Sequence, residues 1–98
     1  MGQSFAEGAG RALRQARVAR GLTLRDVGSL SEGAFSPSAV AGYERAERSI
    51  SLERFCALCA FYGLAPERLL DEIMDAIERA GDVVVDLTTI EDRDPIGT

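Results

Sequence analysis

Helix start and stop signals divide this 98-residue chain into five short segments. A Ser or Thr side chain just before a helix can accept a hydrogen bond from a free first-turn amide, and Pro suits the first helical position. Glycine favours a stop after the last turn. The predicted starts are Thr23, Ser36 with Pro37, Ser51 and Pro66, and the predicted stops are Gly21, Gly63 and Gly81. The chain is therefore predicted to be all-α with five helices.

Apolar residues return at helical spacing within each segment, so each helix is predicted to bury one side. The first helix is predicted from about Phe5 to Arg20, and its apolar series begins at Phe5. The second helix follows Thr23 and carries an apolar series ending at Leu30, and the fourth follows Ser51 with a series beginning at Leu52. We predict one domain over residues 5–80 and a C-terminal extension over 81–98, with a short strand or docking segment at 83–87.

The charge of the chain is unevenly distributed. Residues 1–48 carry seven Arg and five acidic residues, a net charge of +2, whereas residues 49–98 carry four Arg and eleven acidic residues, a net charge of −7. The overall charge of −5 disfavours a nucleic-acid partner, because phosphates repel an acidic body. The asymmetry, however, could orient the basic half towards DNA. The alternative is that both halves are ordinary solvated surface.

The third segment, Ser36 to Arg45, has an unusual outer side. On a helical wheel Val40 and Tyr43 face one way, while Ser38, Ala41 and Arg45 face the other. Small outer residues next to Gly42 let a helix backbone approach another surface closely. This pattern predicts a helix that enters a groove, with duplex DNA as the expected partner.

Several other functions are not supported by the residue types. Cys56 and Cys59 form a C-x-x-C pair within the predicted fourth helix, but the chain has no His and no second pair, so they are predicted to be core residues. No imidazole is present to act as a catalytic base. No apolar run approaches the ~20 residues of a membrane span, and there is no signal-peptide pattern. We therefore predict no enzyme activity, no cofactor, no metal and no membrane partner, and a cytoplasmic, nucleoid-associated location.

Three runs carry a family resemblance: LRQAR at 13–17, GLTLRDVG at 21–28 and VAGYER at 40–45. Together they resemble the Cro/C1-type (XRE) helix-turn-helix repressor family over about residues 10–70. The resemblance implies a lambda-repressor-like fold in which the third helix reads the major groove. It implies a sequence-specific DNA-binding transcription regulator, expected to be a homodimer.

The resemblance also implies which residues contact DNA. Base contacts are expected from the start and outer side of the third helix, and phosphate contacts from arginines around it. The implied DNA-binding residues are Arg25, Ser36, Pro37, Ser38, Ala41, Gly42, Arg45 and Arg48. Pro37 and Gly42 stand where relatives often have longer polar groups. Of the set, Arg45 is the residue best able to specify a base, because a guanidinium can bind guanine bidentately.

Two charged residues are predicted to be structural. Family members often pair an arginine of the first helix with a glutamate near the end of the third, which here means Arg17 and Glu44. The helical wheels agree, because each residue lies at the margin of a buried side and would need a charged partner there. The turn before the third helix is about two residues longer than in phage repressors. Its Phe35 is predicted to fill the core beside the turn, with a DNA-facing wedge as the alternative.

The fifth helix leaves two arrangements open. Its long apolar stripe, Leu70, Ile73, Met74 and Ile77, could form a dimer interface, or the helix could fold back on its own domain under residues 83–87. A second function also remains open. A helix-turn-helix can serve as a protein-binding module, and the acidic C-terminal half could then dock a basic partner such as a toxin or sigma factor.

Overall fold

The computed structural model describes residues 4–79, and in them the chain forms five α-helices and no strand. They are α1 (Phe5–Ala19), α2 (Leu24–Leu30), α3 (Pro37–Glu44), α4 (Leu52–Phe61) and α5 (Pro66–Arg79). The all-α prediction is confirmed. Arg20 and Arg45, predicted as the last helical residues of α1 and α3, are instead their C-caps. The strand predicted at 83–87 and the extension over 81–98 lie outside the described residues.

The first four helices begin in the same way. Each has a Ser or Thr N-cap whose hydroxyl accepts a hydrogen bond at 3.0–3.1 Å from the amide three residues later. The N-caps are Ser4, Thr23, Ser36 and Ser51. Ser4 was not among the predicted starts, although the Ser-x-x-Glu pattern that it forms with Glu7 is a capping-box signature.

The same four helices also end in the same way. At each end the second amide beyond the C-cap donates to the carbonyl five residues before it, at 2.8–3.2 Å. This arrangement, a Schellman motif, requires one left-handed residue. The left-handed residues are Gly21, Glu32, Ala46 and Gly63. Glu32, after α2, and Ala46, after α3, therefore adopt a backbone conformation that is usually occupied by glycine.

The core is a single cluster of apolar residues to which all five helices and the turn before α3 contribute. Helix α1 packs against α3 and α5, α2 packs against α3, and α4 packs against α5. The buried apolar residues are Ala9, Leu13, Val27, Phe35, Val40, Phe55, Leu58, Cys59, Tyr62, Leu69, Ile73 and Ile77. The helical spacing also assigned Phe5, Leu30 and Leu52 to buried sides, but these residues are exposed, because each lies at one end of its helix.

The structure corrects half of the predicted dimer interface. Ile73 and Ile77 are only 1% and 7% exposed, and α5 packs against α1, so these two side chains belong to the core of the single chain. Leu70 and Met74 differ, with 36% and 42% of their surfaces exposed. The apolar stripe of α5 is therefore wider than the surface that the domain buries. One edge packs in the core, and the other edge is exposed to solvent.

Candidate nucleic-acid interface

Helix α3 starts at an open, solvent-facing corner. The Ser36 hydroxyl accepts a hydrogen bond from the Ala39 amide at 3.1 Å, and Pro37 occupies the first helical position. Ser36, Pro37 and Ser38 are all exposed. The opposite side of the helix contributes Val40, which is completely buried. The α3 start that the sequence predicts is therefore accessible to a ligand.

The outer side of α3 carries few atoms, as the sequence predicts. Ser38 and Arg45 are exposed and Ala41 is half-buried. Gly42 differs from the expectation of a bare backbone, because it is buried. A Cβ atom at Gly42 would lie 2.5 Å from Cδ and 2.7 Å from Cγ of Arg48, so the stem of Arg48 covers this glycine. Gly42, predicted to contact DNA, is therefore not exposed itself, because the side chain of Arg48 lies over it.

Arg17 and Glu44 form a two-pronged ion pair that joins α1 to the end of α3. Arg17 Nε donates to Glu44 Oε2 at 2.7 Å, and its Nη2 donates to Oε1 at 2.9 Å. The remaining Nη1 donates to the carbonyl of Leu22 at 2.9 Å. The side chains are only 10% and 5% exposed, and hydrogen bonding to Glu44 raises the pKa of Arg17. The pair occupies a structural position, away from the outer side of α3.

Tyr62 lies near this ion pair. Its side chain is completely buried, and within residues 4–79 its hydroxyl has no hydrogen-bond partner. Burial, followed by the charge of Glu44, raises the pKa of Tyr62 to about 12. The phenol therefore stays neutral at physiological pH, and the carboxylate of Glu44 depends on Arg17 as its ionic partner.

The backbones of α1 and α3 meet at Gly10, which was not among the predicted functional or structural residues. A Cβ atom at this position would lie 2.6 Å from the carbonyl oxygens of Tyr43 and Glu44. Any larger residue would push against rigid backbone. Glycine inside a helix is unfavourable, so a helical glycine often indicates a close approach of this kind. Gly10 thus holds the C-terminal end of α3 directly against α1.

Gly28 allows a second close approach, between α2 and α3. A Cβ atom there would lie 2.9 Å from Cδ of Pro37. At the start of α2, Thr23 and Asp26 form a capping box, and hydrogen bonds from Thr23 lower the pKa of Asp26. Arg25, in the first turn of α2, is exposed. Helix α2 thus packs closely against the start of α3 and also exposes a cationic side chain.

The turn before α3 is held by α4. Phe35 is buried, which agrees with its predicted core role, and its ring centroid lies 5.7 Å from that of Phe61. Arg54 places its guanidinium carbon 4.8 Å from the Phe35 ring centroid and donates to the Ala34 carbonyl at 3.1 Å. Arg54 is not predictable from the sequence as a partner of this turn, because nothing in its local pattern connects it with residues 20 positions earlier.

The C-x-x-C pair of α4 lies in and beside the core, where the sequence predicts it. Cys59 is buried, Cys56 is half-buried, and burial raises the pKa of Cys59 to about 11. No set of three His, Cys, Asp or Glu side chains between residues 4 and 79 could hold a metal. None of the five helices is long and apolar enough to cross a membrane.

Two helices joined by a turn, the second of them capped, exposed on one side and anchored on the other, define a helix-turn-helix unit. Comparison with known proteins agrees, because the sequence profile of a helix-turn-helix domain family matches residues 9–73. The chain belongs to this family, as an XRE-like member. A comparison with curated proteins found no significant match.

Solved structures show the same arrangement. The BldD DNA-binding domain from S. venezulae is 33% identical, with a TM-score of 0.65 over 68% of this chain and 97% of that one. A crystal structure of the DNA-binding domain of BldD is also 33% identical, with a TM-score of 0.66 over 70% and 97%. The clp gene regulator ClgR from C. glutamicum is 27% identical, with a TM-score of 0.69 over 79% and 96%. The YER run at 43–45 and the FYG run at 61–63 already indicate a BldD-like sequence, and these matches confirm that likeness.

Proposed function

We propose that this chain is a sequence-specific DNA-binding transcription regulator that inserts α3 into the major groove and acts as a homodimer. The observation that carries the proposal is the outer side of α3, where Ser38 and Arg45 are exposed opposite the completely buried Val40. A helix with small outer residues can lie deep in a groove about 12 Å wide, which admits an α-helix. Likeness to the DNA-binding domain of BldD supports the same assignment.

Base reading is assigned to side chains on the outer side and at the C-terminal end of α3. Arg45, exposed at its C-cap, can donate two hydrogen bonds to O6 and N7 of guanine. Ser38 can bond to several bases, and the methyl group of Ala41 can contact the thymine methyl group. Ser36 and Pro37 form the leading corner of the helix, next to the phosphate backbone.

Phosphate binding is assigned to Arg25 and Arg48. Both side chains are exposed, and a guanidinium can bind a phosphate oxygen on either flank of the helix-turn-helix unit. The two arginines come from opposite ends of the helix-turn-helix unit, so they can fix the orientation of α3 in the groove while Arg45 reads the sequence.

A homodimer would place two α3 helices in successive major grooves, about 34 Å apart. The apolar surface that supports a dimer is the exposed edge of α5, Leu70 and Met74, together with Leu52, which is 73% exposed. A second copy that buries these three side chains would bring two domains together through their C-terminal halves and leave both α3 helices free.

The test is selection of duplexes from a randomised DNA library with the 98-residue chain, followed by affinity measurement at several salt concentrations. We expect one enriched sequence with two half-sites, and an affinity that falls steeply with salt because bound arginines release counterions. Arg45→Ala should lose about 10- to 100-fold in affinity for the enriched duplex. Arg68→Ala, an exposed arginine on α5, is the matched control and should bind like the wild type.

A protein-binding module is the second candidate, favoured by the charge on α5. This helix exposes five acidic side chains: Glu67, Asp71, Glu72, Asp75 and Glu78. Such a surface would attract a basic protein segment. If no duplex binds at low salt and Arg45→Ala changes nothing, the regulator assignment is wrong and the protein-binding alternative takes its place.

A further inference from the structure

Gly42 occupies a central place on the outer side of α3. It lies one turn after Ser38 and three residues before Arg45, so helical geometry puts all three on the same side. Ser38 and Arg45 are exposed, but Gly42 is buried. The atoms that cover it belong to Arg48, since Cδ, Cγ and Cβ of that residue lie 2.5, 2.7 and 3.4 Å from the place of a Cβ atom at Gly42.

The end of α3 explains how Arg48 reaches this place. Ala46 adopts the left-handed conformation, with φ of 60°, and turns the chain back along the helix. The amides of Glu47 and Arg48 then both donate to the Gly42 carbonyl, at 2.8 and 3.2 Å. The backbone of Arg48 is therefore anchored to the same residue that its side chain covers. These two hydrogen bonds fix the position of the Arg48 backbone, and so the point from which its side chain extends.

We propose that Arg48 acts as a base-reading side chain of the groove helix, in the place that Gly42 leaves empty, and that Gly42 is the residue that positions it. The inference rests on the proposed function and changes one assignment within it: Arg48 becomes a second specificity residue in place of a phosphate contact. The ligand group is the major-groove edge of guanine, which a guanidinium binds through O6 and N7. Ordinary phosphate binding by Arg48 is the competing role.

One observation favours base reading, and a second leaves the head group of Arg48 available for it. The stem of Arg48 lies against Gly42, on the side of α3 that also carries Ser38 and Arg45, so the guanidinium starts from the side proposed to face the bases. In the described residues the only ion pair is that of Arg17 with Glu44, so the Arg48 guanidinium is not held by a carboxylate there. Glycine is also a poor helix former, and the close fit of Arg48 supplies a reason for one at this position.

The experiment uses the enriched duplex and a scrambled duplex of the same composition and salt. Arg48→Ala should lose at least about 10-fold in affinity for the enriched duplex and less than about 3-fold for the scrambled one, because base contacts carry discrimination and phosphate contacts do not. Gly42→Ala should show the same pattern with a smaller loss of melting temperature than Gly10→Ala, since the new methyl group meets the side chain of Arg48 and not backbone. Arg68→Ala is the control and should change neither affinity.

A relocation variant makes the test independent of any loss of folding. In Gly42→Arg combined with Arg48→Ala, the guanidinium starts from the helix itself, and the space for its stem has been vacated. This double variant should recover discrimination between the two duplexes to within about 3-fold of the wild type, as expected if both arginines reach the same base edge. Gly42→Ala combined with Arg48→Ala should behave like Arg48→Ala alone.

The possible failures can be distinguished. If Arg48→Ala weakens both duplexes equally, Arg48 is a phosphate contact and the inference is wrong while the proposed function stands. If Gly42→Ala binds like the wild type, Gly42 does not position Arg48, and the inference is again wrong. A wild-type chain that enriches no sequence overturns the proposed function and this inference with it, and Arg45→Ala then has no affinity to lose.

Discussion

The helix-turn-helix half, α1–α3, and the C-terminal half, α4–α5, are held by different kinds of interaction. The described part of the chain has twelve buried apolar residues, and seven of them lie between Phe55 and Ile77. Helices α2 and α3 contribute one each, Val27 and Val40. The C-terminal half is therefore stabilised mainly by apolar burial, whereas α3 has little apolar surface with which to fix its position.

Directional contacts replace apolar burial around α3. Its C-terminal end is held by the Arg17–Glu44 pair and by the close approach at Gly10, and its start rests against Gly28. A helix proposed to enter a groove must keep one side free, so only a narrow side remains for packing. Apolar burial is non-directional, while hydrogen bonds and backbone contacts specify an angle. The comparison indicates that directional contacts fix the position of α3, whereas buried apolar surface holds the C-terminal half together.

The largest expected effect comes from removing one member of the ion pair. Arg17→Ala leaves the Glu44 carboxylate buried without a cation, and we expect a loss of about 3–5 kcal/mol in the free energy of unfolding. Urea denaturation followed by circular dichroism measures it. The double variant Arg17→Met/Glu44→Leu should recover most of the loss, because replacing a buried pair with apolar residues is often nearly neutral.

Leu58→Ala is the matched change in the C-terminal half. Leu58 is completely buried, and its truncation should cost about 2–5 kcal/mol. The two variants should then differ in DNA affinity per folded molecule, because only Arg17→Ala releases the end of α3. A loss below about 1 kcal/mol for Arg17→Ala, or equal DNA affinity for both variants, would contradict the division between the halves.

The next effect concerns the close approach of α1 and α3. In Gly10→Ala the new methyl group would lie 2.6 Å from two backbone carbonyl oxygens, so we expect a loss of about 1–3 kcal/mol and a displaced α3. Thermal unfolding measures the loss of stability, and chemical-shift changes at Tyr43 and Glu44 report the displacement of α3. Gly42→Ala is the control, since it makes the same change in a helix but meets a movable side chain. If both variants are equally stable, the approach at Gly10 is not restrictive.

A smaller effect is expected where the two halves meet. Arg54→Ala removes the hydrogen bond to the Ala34 carbonyl and the contact with the Phe35 ring, together worth about 1–2 kcal/mol. Hydrogen exchange should increase in the turn before α3 more than in α5. Arg68→Ala removes an exposed arginine from α5 and should change neither. Unchanged exchange at Ala34 and Phe35 would mean that α4 does not hold the turn.

The features that could be predicted from the sequence are those with local causes. The Ser36 N-cap and the Gly21 stop follow from side-chain oxygens and a missing Cβ within one turn of the chain. The charges of Arg17 and Glu44 at the margins of two buried sides indicate a need for partners, and the structure brings them together. Each of these features can be identified in one helix at a time.

The features that could not be predicted depend on two distant segments. A glycine at position 10 indicates a close approach, but only the assembled fold shows that the neighbours are the carbonyls of Tyr43 and Glu44. The apolar stripe of α5 indicates a buried side without saying that α1 covers Ile73 and Ile77. Arg48 covers Gly42 because Ala46 adopts a left-handed conformation that glycine usually signals, and alanine gives no such signal.

The smallest expected effect lies at that alanine. Ala46 has φ of 60°, whereas the equivalent positions at the ends of α1 and α4 are Gly21 and Gly63. A non-glycine residue in this conformation costs about 1 kcal/mol, so Ala46→Gly should stabilise the fold by about that amount. Thermal unfolding measures the gain. Glu32→Gly, the same change at the end of α2, should give a similar gain and serves as the control.

These two variants also separate stability from function. Ala46 sets the path by which the chain returns from α3 to Arg48, whereas Glu32 lies in the other turn, between α2 and α3. If the more flexible glycine loosens that path, Ala46→Gly should raise the melting temperature yet weaken binding to the enriched duplex by about 2- to 5-fold, which corresponds to less than about 1 kcal/mol. Glu32→Gly should leave binding unchanged. Equal affinity of both variants would mean that the Gly42 carbonyl contacts hold Arg48 without help from the side chain at position 46.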